Sequence, residues 1–151
     1  MQEPSVTAAN PAEPKGLSWG LESRLQFIDF RLRWERRINR MDLTEHFGIS
    51  VPQASLDIAK YTELAPSNLT YDRSSKTYTA APSFHPLYQR SSAQHYLAEL
   101  LATKMGVIEP AASFIGSALE ADWAPSPWRT INEQTVEAVV RAIRQQEAIW
   151  V

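Results

Sequence analysis

From Leu21 to Arg37 the chain reads LESRLQFIDFRLRWERR. Leu21, Leu25, Ile28 and Leu32 recur at helical spacing, and Phe27, Phe30 and Trp34 widen the apolar face. The spacing predicts a helix that packs on two neighbours rather than one. Ser18 stands where a cap is needed, ahead of an acidic first turn, and Arg36, Arg37 and Arg40 gather at the far end. Met41 to Phe47 predicts a short second helix, with Leu43 and Phe47 four apart and Gly48 as its stop. Ile49 should turn back to the core. Ser50 and Gln53 then have the form of a capping box, with Pro52 in the first turn, where a missing N–H costs nothing. The third helix runs to about Leu64, with Ala54, Ile58 and Tyr61 as its inner stripe.

The period changes after that. Leu69 and Tyr71 alternate, Asp72 to Ser75 supplies turn residues, and Tyr78 and Ala80 alternate again, which predicts a β-hairpin over 68–80. Arg73 and Lys76 lie at or beside its tip. Residues 83–90, bordered by Pro82 and holding Pro86, read as extended or irregular. Ser91 to Met105 reads as a helix with Tyr96, Leu97, Leu100 and Leu101 on its apolar side, ended by Gly106. Residues 107–129 are poorly patterned and hold Pro110, Pro125 and Pro127. Asn132 to about Gln145 reads as a final helix with Val136, Val139, Val140 and Ile143 inward, and the closing AIWV reads as the start of a strand.

These elements predict a mainly α fold with a small β-hairpin: a winged helix-turn-helix over residues 17–85, then a helical connector or dimerisation region over 86–151. The tail 1–16, rich in Pro, Ala and Glu, reads as disordered. Two helices hold the third at a fixed angle. The third is short and polar outward, as a major groove about 12 Å wide requires. A hairpin with cations at its tip suits phosphates or the minor groove.

Composition narrows the choice. The 151 residues suffice for one core without staples, and 21% of them are charged, an ordinary share for a globular protein. The absence of cysteine excludes disulfides, thiolate zinc sites and a cysteine nucleophile, and suits a cytoplasmic setting. No apolar run approaches the ~18 residues of a membrane span, and the N-terminus lacks the form of a secretory signal. The net charge of −2 is uneven: residues 17–90 carry 10 lysines and arginines against 8 acids, and residues 91–151 carry 4 against 7. The basic excess is small, so the arrangement of the charges matters more than their total.

No set of side chains calls for catalysis or a cofactor. His46, His85 and His95 share no helix turn and join no acidic cluster, which speaks against a metal site. There is no glycine-rich phosphate loop. Asp42 with Glu45, and Asp29 with Glu35, lie on charged helix faces where solvation explains them. Trp34, Tyr61, Tyr71 and Tyr78 could form a base-stacking platform, but their spacing favours the core.

GISVPQASLDIAKY resembles the recognition segment of DeoR-type regulators, which has a Gly, an apolar residue, a Ser, and later an Asp followed by an apolar residue. The longer run from WERRINRMDLTEHFG through SNLTYD and FHPLY resembles the N-terminal part of WYL-domain transcriptional repressors. These are of the BREX- and CBASS-associated type found beside bacterial phage-defence operons. The likeness covers about residues 21–88 and continues more weakly through PSPWRTINEQTVEAVVRAI. It implies a sequence-specific DNA-binding repressor, not an enzyme, that works as a homodimer on a palindromic operator. Members of this family join a winged helix, a WYL sensor domain and a C-terminal dimerisation domain. This sequence stops where the WYL domain would begin, as expected of either a truncated product or a naturally short relative. The sensor's ligand is not legible in it.

By position, Ser50, Pro52, Gln53, Ser55 and Leu56 are the candidates for base contact. Gln can pair bidentately with adenine, and Leu56 could either touch a thymine methyl or pack on the first helix. Arg40, Lys60, Arg73, Ser74, Ser75 and Lys76 are the candidates for the DNA backbone. Asp57 reads as a partner for a nearby arginine. The helix over 91–105 is a candidate dimer contact. The competing reading is a winged-helix adaptor that binds protein rather than DNA.

Overall fold

The computed structural model describes residues 16–117, 119–121 and 130–149. The element order is α1 (Trp19–Glu35), β1 (Arg37–Ile38), α2 (Arg40–Phe47), α3 (Val51–Leu64), β2 (Leu69–Asp72), β3 (Thr77–Ala80), α4 (Ala93–Lys104) and α5 (Glu133–Gln145). Short 3-10 turns lie at Gln89–Ser91 and Pro110–Ala112. The three strands form an antiparallel sheet in the order β1-β3-β2, with Ile38 opposite Tyr78 and Tyr78 opposite Tyr71. Mainly helical structure with a small winged sheet is the class the sequence pattern implies.

α1 runs through the centre. Leu25, Phe27, Ile28, Phe30, Leu32 and Trp34 are all buried, so its apolar residues span more than one face, and it packs on α3, α5 and the 3-10 turn at 89–91. Ser18 caps it by accepting from the Leu21 amide. The helix stops two residues before the sequence pattern suggests. Arg36 takes a left-handed conformation (φ 63°), and Arg37 and Ile38 leave to pair with β3. Two residues are too few to show an alternation, so only the neighbouring strand reveals β1.

Inside, Asp29 of α1 joins α1, α3 and the segment after the wing. Tyr61 and Ser91 donate their hydroxyls to its two oxygens at 2.5 Å each, and the amides of Leu87 and Tyr88 donate at 3.0 and 3.2 Å. Asn68 donates to the Tyr61 hydroxyl at 3.0 Å and to the His85 carbonyl at 2.7 Å, and accepts from the His85 amide. Burial raises the Asp29 pKa against the opposing pull of these hydrogen bonds.

One buried cluster continues from the winged part into the second half. Trp34 stacks on Tyr96 of α4 at 4.4 Å, and Phe114 and Val140 join the same cluster. Some expectations for this half need correction. The apolar side of α4 is Tyr96 and Leu100, with Leu97 exposed. On α5, Val140 and Ala142 are buried, whereas Ile143 is 49% exposed. Residues 147–149 form no strand; Trp150, Val151, Pro125, Pro127 and tail residues 1–15 lie outside the described residues.

Candidate nucleic-acid interface

The turn between α2 and α3 is built locally. Asn39 accepts from the Asp42 amide at 3.0 Å, and the Asp42 carboxylate accepts from the Asn39 amide at 2.7 Å, a reciprocal capping box that starts α2. Gly48 ends α2 at φ 64° and donates to the Thr44 carbonyl. A Cβ there would meet nothing within 4 Å, so the glycine is needed for its backbone angle rather than for space. Ser50 then caps α3 by accepting from the Gln53 amide at 3.3 Å. The expected return bond from the Gln53 side chain is absent. Its amide donates instead to Asp57 at 2.9 Å, so only half of that capping box forms.

Asp57 lies one turn on, 1% exposed, and receives the fork of Arg24 from α1: Nε at 2.6 Å to one oxygen and Nη2 at 3.2 Å to the other. This is the arginine partnership expected for Asp57. It fixes α3 against α1 beside the apolar contacts of Ala54, Ile58 and Tyr61, all buried. The opposite face of α3 is uncovered. Ser50, Val51, Pro52, Leu56 and Ala59 are exposed, and Gln53, Ser55 and Lys60 are half-buried. Leu56 is 64% exposed, so it does not pack on α1. The Ser55 hydroxyl donates to the Val51 carbonyl at 3.0 Å. Lys60 pairs with Glu63 at 2.9 Å on the open surface, a contact worth about 0–1 kcal/mol.

The hairpin over β2 and β3 forms the wing. Tyr71 and Tyr78 pack ring to ring at 4.7 Å, with Tyr71 42% exposed rather than in the core. Arg40 lies over both rings and donates to the Tyr78 hydroxyl at 3.0 Å. The Ser74 and Ser75 hydroxyls both donate to Asp72 at 2.7 Å, and these bonds hold the exposed Asp72 carboxyl down to about 2. Arg73 and Lys76 are exposed at the tip, and neither has an ion pair or side-chain hydrogen bond among the described residues. Lys76 takes a left-handed conformation (φ 54°), unusual for a residue other than Gly, Asn or Asp.

Residues 20–102 match the model of the BrxR transcriptional regulator winged helix-turn-helix domain. The chain belongs to the BrxR winged-helix family. It is 46% identical over 137 residues to a DNA-binding transcriptional repressor CapW of Escherichia coli (strain KTE188), covering 91% of this chain and 46% of that protein. It is 45% identical over 131 residues to a protein of the same name from Pseudomonas aeruginosa, covering 87% and 44%. The corresponding Stenotrophomonas maltophilia protein is 44% identical over 133 residues, covering 88% and 44%. The chain spans about half the length of the curated relatives it matches.

In this BrxR-type winged helix the candidates fall into two groups. Ser50, Pro52, Gln53, Ser55 and Leu56 share one open face of α3, and Arg73 and Lys76 share the wing tip. Arg40, Ser74 and Ser75 are already engaged within the wing, and Lys60 is engaged on α3. Sequence reading misses Val51 and Ala59, because apolar residues on a helix are assigned inward by default. Their spacing with Pro52, Ser55 and Leu56, complementary to the buried 54, 57, 58 and 61, is the available signal. Sequence reading also misses Arg24; its pairing with Asp57 across 33 positions has no local signature. Arg37, exposed on β1, is a further cation without a side-chain partner among the described residues.

Proposed function

We propose that this chain is the DNA-binding part of a sequence-specific bacterial transcriptional repressor that controls a phage-defence operon in the cytoplasm. α3 enters the major groove, and the wing meets the backbone or minor groove. The uncovered outward face of α3, held from behind by the Arg24–Asp57 pair, carries this reading. That face offers short polar groups and small apolar ones, Val51, Pro52, Leu56 and Ala59, of the kind that contact thymine methyls. Gln53 is the candidate reader of adenine, and its bond to Asp57 sets its orientation. The helix itself brings no unpaired cation, so Arg73, Lys76 and Arg37 supply the phosphate contacts, with Arg40 stiffening the wing.

The names of the relatives, all DNA-binding transcriptional repressors, support the reading. One such module covers little DNA, so two copies on a palindromic operator are expected, with the helix over 91–105 as the candidate contact. The test is fluorescence anisotropy on DNA from the chain's own upstream region. Binding should weaken steeply with salt and exceed that to scrambled DNA. Equal, salt-insensitive signals on both would sink the reading and favour the protein-adaptor alternative.

A further inference from the structure

A cleft of about 350 Å³ lies between the end of α1, the segment after the wing and α5, away from the open face of α3. Small-molecule sites begin at roughly this size. Trp34, Phe84 and Pro86 form its apolar walls. Its acids are already engaged. Glu137 accepts from Arg33 at 2.7 Å, and Glu35 pairs with Arg31 and accepts from the amides of Gly116 and Ser117. Its other arginines, Arg36, Arg141 and Arg144, form no ion pair among the described residues. Among the described residues Arg36 donates only to the carbonyls of Ala80 and Ala81, and its guanidinium lies 5.8 Å from the centre of the Phe84 ring. Arg144 donates to the Ser117 carbonyl and leaves a buried Nε without a partner among the described residues. Arg141 is exposed and has no acid partner among the described residues.

We propose that this cleft binds a phosphate monoester whose carrier also bears a flat ring, with Arg36, Arg141 and Arg144 on the phosphate and Phe84 and Pro86 against the ring. Planar guanidiniums match phosphate oxygens bidentately, and a dianion relieves the repulsion between neighbouring arginines. Burial lowers the Arg36 pKa; the nearby Glu137 carboxylate opposes this, and the Arg141 charge adds to it. The site also touches the wing. The Ala80 amide of β3 donates to the Arg36 carbonyl at 2.9 Å, so a ligand that draws on Arg36 acts at the root of the hairpin.

Calorimetry on the protein alone, without DNA, tests this independently of the repressor reading. The probes are AMP, inorganic phosphate and adenosine. AMP should saturate and bind at least about tenfold more tightly than phosphate, and adenosine should not saturate. Arg141→Gln, an exposed position, should weaken AMP at least about tenfold, and Arg73→Gln at the wing tip should leave it unchanged. Circular dichroism confirms that both variants are folded. Absence of AMP saturation at millimolar concentration overturns the proposal. So does equal affinity for AMP and phosphate, or an Arg141→Gln variant that binds AMP like the parent.

Discussion

Replacing Arg24 by alanine removes both guanidinium bonds to Asp57 and leaves a carboxylate that is 1% exposed with, among the described residues, only the Gln53 amide as side-chain donor. Breaking a fully buried pair from one side costs about 3–5 kcal/mol. Arg24 is 18% exposed, so water can reach the vacated space and soften the loss. The expected cost is about 2–4 kcal/mol, a fall in Tm of about 5–15 °C for a chain of this size. Urea unfolding followed by circular dichroism measures it. The companion is the double replacement Arg24→Met with Asp57→Leu, which removes both charges together. It should return to within about 1 kcal/mol of the parent, because two desolvated charges are exchanged for packed apolar groups. DNA binding, measured well below both midpoints, should then separate the two proteins. The single variant keeps Gln53 tied to Asp57 and keeps its base preference; the double variant loses that tie and binds related operators more evenly. A cost below about 0.5 kcal/mol for Arg24→Ala, or a double variant as unstable as the single, would refute the role given to this pair.

Gln53→Ala should reduce discrimination between the operator and single-base changes at one position by about 1–3 kcal/mol, with little effect on scrambled DNA, read by competition anisotropy. Arg73→Ala should weaken binding to all sequences alike and lower the slope of log affinity against log salt by about 1; an unchanged slope removes Arg73 from the backbone contacts. Asp29 yields a pH prediction. Its folded pKa is raised by burial, so the folded state holds its proton to higher pH than the unfolded chain does. Its contribution to stability is therefore complete below the unfolded value and declines as pH rises through the raised folded value. Asp29→Asn should flatten that decline while costing about 1–3 kcal/mol throughout, since one amide oxygen cannot accept all four donors. Urea midpoints across pH 4 to 8 for parent and variant check both parts.

The sequence by itself determined the helix order, the glycine turn, the capped third helix and the hairpin, because each rests on contacts within a few residues. Ser18 and Ser50 cap helices by reaching three residues on, and Gly48 needs only its own backbone angle. The same locality made the buried stripe Ala54, Ile58 and Tyr61 legible from spacing alone. Partners distant in sequence were decided only in three dimensions. β1 exists because β3 arrives beside it, and α1 ends at Glu35 for that reason rather than for any change in helical pattern. Gln53 turns to Asp57 rather than back to Ser50, while Arg24 forks onto both oxygens of the same carboxylate. Arg40 closes over two tyrosines rather than standing free, and Tyr71 stays 42% exposed although Arg40 and Tyr78 both meet its ring. A charge or a ring reads the same in a sequence whether solvent or another side chain meets it. Only the fold decides which does, and with it which side chains remain available to a partner.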